Sequence, residues 1–435
     1  MKSRRIKIIR QVVFASMTLY CFPVLLIAAP ATSDMWTLQR SIRRALSIAP
    51  EVKIARAAIR SQQGNVDKAG EWPNPTVSIR VENNIRQISA QSGYTIDQLT
   101  VAQALPLRRL PYQRHVAREG MLAVQAGAIQ VRRDIEASVA RHFLALQISH
   151  EKLRLARQQR RFTQKLIHLL QHSKEPNGIV RYVSPLGYSR LRLLNETVEQ
   201  HADAAANNYQ ESLYMFRNYL LLPPEQPIGL PPMQPIVLPP RHLLQQLAGQ
   251  APKLRSLKHQ VKAARAGVKL QRVLRFKDPV LTYNREKNVN NYNQVFSFNG
   301  VMLTFSLPLW DQNHGNIVKA QAAVVSAESR VELAQRRLNI RLRRDHMQLE
   351  HLLAQANHFR QDILPSSRKV LNDTRRNYTV GAVNTLTMID AYNAYFNASS
   401  HYLDLQFAAH QQIIDLSQAL GQSLLAKADA IRSRP

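Results

Sequence analysis

Hydrophobic positions along this chain recur with two periods, and the changes from one to the other divide it into elements. Over most of its length the spacing alternates between three and four residues. Near the C-terminus Met388, Ala391, Tyr395, Ala398, Tyr402, Leu405, Ala409, Leu416 and Ala419 follow this rule, with Gln412 the one polar residue in the series. A mean period near 3.5 is that of a coiled-coil seam. Upstream, Ile317, Val324, Val331 and Leu338 recur by seven, and Leu342, Leu349, Ala356, Ile363 and Val370 do so after a four-residue shift. The pattern predicts uncapped helices dozens of residues long; one from Gly315 to Arg376 would measure about 90 Å. Helices of that length have no compact core of their own to wrap, so neighbouring chains are expected to supply packing partners.

In two places the period drops to two. Val77, Ile79 and Val81 alternate with Ser78, Arg80 and Glu82, while Val301, Leu303, Phe305 and Leu307 alternate with Met302, Thr304 and Ser306. Partner strands are expected over Gly93–Leu105 and Pro279–Glu286, the latter with Leu281 and Tyr283 on one side; Phe296 and Phe298 form a shorter run before Gly300. Each half of the chain therefore offers a strand pair with one apolar face. Outward-apolar strands of about ten residues are what a transmembrane β-barrel uses. Four strands cannot close a barrel alone, and open edges are not tolerated in lipid, so a membrane location requires several chains to share one barrel.

The two strand pairs belong to a tandem duplication. Ala49-Pro50-Glu51-Val52 corresponds to Ala251-Pro252-Lys253-Leu254, and Leu105-Pro106-Leu107 to Leu307-Pro308-Leu309, both at an offset of 202 residues. Pro50 and Pro252 suit the first position of a helix, where a missing N–H is harmless. Asn74-Pro75 and Asp278-Pro279 read as helix stops. The resulting boundaries are a first repeat over 32–222 with strands at about 75–105 and a helical hairpin at about 108–222; a Pro-rich extended linker over 223–240; a second repeat over 241–422 with strands at about 279–309 and a hairpin at about 315–421; and a tail over 423–435.

Two tips reverse the long helices. The first runs from Glu175-Pro176-Asn177-Gly178 to Ser184-Pro185, and the second is Tyr378-Thr379-Val380-Gly381-Ala382-Val383-Asn384-Thr385-Leu386. Gly381 suits the left-handed conformation that ends a helix, with Asn384 or Thr385 to cap the next. Apolar Val380, Ala382 and Val383 at so exposed a point mark a partner surface. Tyr378, Val380, Gly381, Ala382 and Thr385, with Asn177 and Gly178 of the first tip, are the candidate docking residues.

Composition narrows the class. With 45% hydrophobic residues, 14 Gly and 7% aromatics, the chain suits a helix-rich protein rather than an all-β one. Lys2, Arg4, Arg5, Lys7 and Arg10 precede an apolar run from Val12 to Ala29 and then Ala29-Pro30-Ala31, the pattern of a secretory signal over 1–31. A retained membrane anchor is the other reading; both export the chain. Cys21, the sole cysteine, lies in that run behind a bulky Tyr20 that does not suit a lipoprotein cleavage site, so cleavage would leave no disulfide or thiolate chemistry. The formal charge of +30 is spread through helices and interrupted by acids, with no basic–aromatic platform. It reads as a solvated helical surface suited to acidic surroundings or anionic lipid, not as a nucleic-acid site.

The ordered set Ala45-Leu46 to Pro50, Trp72-Pro73-Asn74-Pro75, Gln103-Ala104-Leu105-Pro106-Leu107, Phe305-Ser306-Leu307-Pro308-Leu309, Tyr378 with Gly381, and Ala419-Leu420-Gly421 resembles the TolC-like outer membrane efflux proteins, over about Thr37 to Gly421. The resemblance implies an α+β membrane protein: a homotrimer whose four strands per chain form one barrel in outer-membrane lipid and whose coiled-coil helices form a periplasmic α-barrel. It further implies a passive duct, open through a periplasmic adaptor to an inner-membrane pump, which moves metal ions or small toxic compounds. Pro-Asn-Pro and Leu-Pro-Leu-Arg-Arg look most like the branch serving heavy-metal pumps of the resistance-nodulation-division class. A type I polypeptide exit channel is the alternative within the class, and a soluble periplasmic coiled-coil scaffold the alternative outside it; a scaffold has no need of the strands.

No enzyme signature is present: there is no Gly-Lys-Ser/Thr phosphate loop, no HExxH and no nucleophile elbow. His168 with His172, His346 with Glu350, and His351 with His358 could each pair on a helix face, but such pairs are the ordinary furniture of a solvated coil. No catalytic residue, metal site or cofactor is expected. Arg181, Arg368, Lys369, Arg375 and Arg376 crowd the tip ends of the coils with Asp373 the chief acid among them. As rings around a closed aperture they would favour anions.

Overall fold

A computed structural model describes residues 35–82, 96–171, 185–289 and 294–424. Residues 1–31 with Cys21, expected to be a secretory signal, and Asn177, Gly178 and Arg181 of the first tip, lie outside the described residues. The first repeat comprises α1 (Leu38–Ile48), α2 (Pro50–Lys68), β1 (Thr76–Glu82), β2 (Ile96–Ala104), α3 (Leu110–Gln171) and α4 (Pro185–Tyr219). The second comprises α5 (Arg241–Gly249), α6 (Pro252–Leu274), β3 (Val280–Val289), β4 (Val295–Thr304), α7 (His314–His358), a π turn (Phe359–Ile363), α8 (Leu364–Thr379) and α9 (Thr385–Leu420). Pro50 and Pro252 open α2 and α6. The duplicated Leu-Pro-Leu segments make the same turn: Leu107 donates to the Leu105 carbonyl at 2.8 Å, and Leu309 to that of Leu307 at 3.0 Å.

The four strands form one antiparallel sheet in the order β1-β2-β3-β4. Its ladder ends where Thr304 pairs with Val280, because Pro279 has no N–H to carry it on; Leu105 closes the neighbouring rung by donating to the Pro279 carbonyl at 2.7 Å. Phe305 and Leu307, expected within the strand, therefore lie beyond it.

The helices bury the expected seam over most of its length. Met388, Ala391, Tyr395, Leu405, Ala409 and Leu416 are buried, Ala398, Tyr402 and Ala419 are half-buried, and Gln412 is itself buried. On α7, Leu342 and Leu349 follow the expected register, but Val370 is 52% exposed and Leu371 is buried in its place. The cause is the π turn at Phe359–Ile363, whose wider winding takes up one extra residue and rotates everything after it.

The linker over 223–240 forms no helix or strand, yet it is docked rather than free. Its carbonyls accept from Gln147 at Pro231 (2.8 Å) and from Arg217 at Gln226 (2.6 Å), and the His346 Nε2 lies 3.1 Å from that of Pro239. His410 of α9 places Nδ1 2.8 Å from the Gln406 carbonyl and Nε2 3.0 Å from that of Gln234. Burial lowers the His410 pKa below its ordinary value against the raising effect of those carbonyls; burial and then Arg141 lower that of His142. A histidine of depressed pKa binds its proton more readily when unfolded, so it stabilises the fold above its unfolded pKa of about 6.5 and less as pH falls below it. The thermal unfolding midpoint should thus drop as pH falls below about 6.5, and His410→Gln should flatten that decline; an equally steep decline in the variant would exclude His410 as a source.

Candidate functional site

At the second tip the backbone makes two helix ends in seven residues. Gly381 at φ +79° donates to the Tyr378 carbonyl (3.2 Å) and Ala382 to that of Asn377 (2.9 Å), the paired bonds of a Schellman cap on α8. Asn384 then caps α9 by accepting from the Thr387 N–H at 2.9 Å; Thr385, the alternative cap, is the first residue of the helix. Tyr378 is only 5% exposed, and its hydroxyl lies 3.3 Å from that of buried Thr385. These two candidate docking residues therefore hold the turn from inside. Val380, at 67% exposure, Gly381, Ala382 and Leu386 form the outer surface. Leu386 was not among the candidates, although it stands in the same segment.

Beneath the tip lies a core of Leu371, Tyr378, Met388, Tyr392 and Phe396 against Leu166 of α3 and Leu191 of α4. Tyr392 sits with its hydroxyl 2.9 Å from Thr163 and 3.1 Å from the Gln159 carbonyl, and burial pushes its pKa up to about 12. The tip is thus mounted on a rigid base in which α9 is tied to the first repeat.

The candidate aperture charges follow the same helix. Arg368 and Arg375 recur by seven, as do Lys369 and Arg376, which places them in two rows beside the buried Leu371–Tyr378 seam. Arg368 donates to the Tyr395 hydroxyl at 3.4 Å, Arg376 is ion-paired with Asp373, and Lys369 and Arg375 are exposed.

The sheet has two chemically different faces. Val77, Val101, Tyr283 and Val301 stand in one rung, next to Leu281 with Leu303 on one side and Ile79 with Leu99 on the other. The opposite face carries the rung Ser78, Thr100, Asn284 and Gly300, with Arg80, Gln98 and Glu286 beside it. Phe296 and Phe298 lie on this second face, because the apolar series changes sides at Gly300. On β3 and β4 the apolar band ends at Arg285 and Asn299, where the Tyr283 hydroxyl donates to Asn299 at 2.9 Å.

Among the described residues, the outer edges of β1 and β4 have no partner strand. The helices follow the strand order, α2 packing on α3, α3 on α6 and α6 on α7. At the two ends of this row α2 buries no residue, and α7 buries none before Leu342. Ile54 on α2 and Val318, Val325, Leu333 and Ile340 on α7 are left exposed.

Among the described residues no three His, Cys, Asp or Glu side chains gather to hold a metal ion. His346 lies 3.8 Å from Glu350, and His358 pairs with Asp362 at 2.9 Å rather than with His351. No described helix is long and apolar enough to cross a membrane.

Residues 243–422 match the family of outer membrane efflux proteins. No curated protein sequence matches the chain significantly. Among solved structures, the outer membrane channel MtrE of Neisseria gonorrhoeae in its open state superposes with a TM-score of 0.71 at 17% identity, 89% of each chain being covered. The outer membrane protein VceC of Vibrio cholerae gives a TM-score of 0.69 at 17% identity, covering 89% of this chain and 96% of that one. CusC, solved in work on folding and transmembrane channel formation, gives 0.69 at 19% identity, covering 88% and 92%. The likeness at these identities is one of fold, and it spans both repeats.

Proposed function

We propose that this chain, whose residues 243–422 belong to the outer membrane efflux protein family, is one protomer of a passive homotrimeric duct in the outer membrane. The observation that carries this reading is the two-faced sheet with open edges. Its apolar face meets lipid and its polar face lines water, while β4 of one copy pairs with β1 of the next, so that the row of helices continues from α7 onto α2 of the neighbour. The helices then form a periplasmic tunnel whose tip meets an adaptor, which in turn joins an inner-membrane pump of the resistance-nodulation-division class. The cargo is metal ions or small toxic compounds. Nothing in such a duct requires a catalytic group, since the pump supplies the energy.

The protein is expected in the outer-membrane fraction as a trimer, and recovery as a soluble periplasmic monomer would remove the reading. In planar bilayers the isolated trimer should conduct with a preference for anions. Neutralising Arg368, Lys369, Arg375 and Arg376 together should abolish that preference; strong cation selectivity unaffected by those changes would place the charges outside the aperture.

A further inference from the structure

Directly below the sheet, where β2 leads into α3 and α6 leads into β3, two cationic side chains share one aromatic ring. The Arg108 guanidinium carbon lies 5.4 Å from the centroid of Phe276 and that of Arg275 lies 4.7 Å from it. The nearby acid, Asp278, is taken by Arg109, and among the described residues neither Arg108 nor Arg275 has a carboxylate partner. Lys277 adds an exposed charge beside them. Two like charges held on one ring repel unless an anion joins them, whereas a guanidinium oriented on a ring keeps its N–H fork free for a planar or tetrahedral oxyanion.

The position selects the anion. Arg108 and Phe276 stand three residues beyond the Leu105–Pro279 rung, at the feet of the central strands β2 and β3 and away from the open edges where another copy would pair. Immediately above it the apolar face begins with Leu281 and Leu303, and beside it Leu107 is exposed. Farther along, Trp310 is 92% exposed, the residue type that settles at the headgroup level of a bilayer. Apolar surface above and unpaired guanidinium below match an acyl chain above and a phosphate below.

We propose that Arg108, Phe276 and Arg275 form a binding site for the headgroup of an anionic phospholipid in the periplasmic leaflet, one site per protomer. The proposal rests on the channel reading of the sheet.

The test is native mass spectrometry of the detergent-solubilised full-length trimer titrated with phosphatidylglycerol and, in parallel, with phosphatidylcholine. Wild type should retain phosphatidylglycerol preferentially. Arg108→Gln and Arg275→Gln should each weaken that binding about fivefold, while Arg330→Gln with Arg343→Gln, exposed on α7, should leave it unchanged. If the glutamine variants fail to assemble, Arg108→Lys with Arg275→Lys keeps the charge but loses the fork and the ring stacking, and should still weaken binding at least about threefold. Several results overturn the proposal: wild-type binding in either pair of variants, displacement of the lipid by inorganic phosphate at equal concentration, or altered pore selectivity without altered lipid binding, which would put the cluster in the lumen. A trimer that inserts and conducts but shows no phosphatidylglycerol preference overturns this site alone, whereas a chain that forms no pore removes the channel reading with it.

Discussion

Val380→Glu and Ala382→Asp, made separately, should each abolish export in cells while expression, trimer assembly and membrane insertion stay at wild-type level. Both side chains are exposed beyond the buried base of Tyr378 and Thr385, so a charge there touches none of the packing that holds the turn. Surface substitutions of this kind change stability by no more than about 0.5 kcal/mol. In an apolar docking surface the same charge must be stripped of water against the adaptor, and an unpaired charge buried in an interface costs several kcal/mol. Gly381→Ala separates turn from surface. A Cβ at Gly381 would meet nothing within 4 Å, so its effect on the isolated trimer is the backbone strain of φ +79° alone, about 1 kcal/mol. Any larger loss of export in that variant reports the adaptor's approach to the bare backbone. Resistance at wild-type level in Val380→Glu and Ala382→Asp, with adaptor crosslinking unchanged, would return the tip to a simple turn.

What could be read from the sequence was whatever depends on local period. The parity of Val77, Ile79, Leu281, Tyr283, Val301 and Leu303 assigned one face of the sheet, and register then brought them together, since a period of two leaves no freedom short of a full slip. The seam of α9 was legible for the same reason. The seam of α7 was legible only up to the π turn: Pro365, just after it, marks a break in the winding but not that the break takes up one extra residue, so Val370 was expected inside and Leu371 is there instead. From Leu371 a step of seven reaches Tyr378, so the burial of that tyrosine follows from the corrected register. Contacts between distant segments left no trace. The prolines at 223–240 announced an extended chain, but not that Gln147 and His410, 84 and 176 residues from their acceptors, would fix it in place. The Phe276 cluster was hidden likewise, because Arg108 and Arg275 come from different repeats.

The faces of the sheet allow the sharpest test of the channel. Val301→Arg should prevent recovery of the trimer from the outer membrane, whereas Thr100→Arg should leave trimer and insertion intact and lower single-channel conductance. The two positions stand in adjoining rungs on opposite faces: Val301 shares its rung with Tyr283 and Val101, and Thr100 precedes Val101 on β2. Val301 lies on the edge strand β4 and Thr100 on the central β2, but the volume added is nearly the same and the two faces meet different solvents. An arginine facing lipid at the bilayer midplane costs about 2–4 kcal/mol, and a trimer contains three of them, enough to cancel the stability of an ordinary domain. An arginine facing the lumen stays in water, narrows the pore and repels cations. Assembly that survives Val301→Arg but fails with Thr100→Arg would invert the faces. Survival of both, with unchanged conductance, would take the sheet out of the membrane altogether and leave a coiled-coil scaffold as the reading that fits.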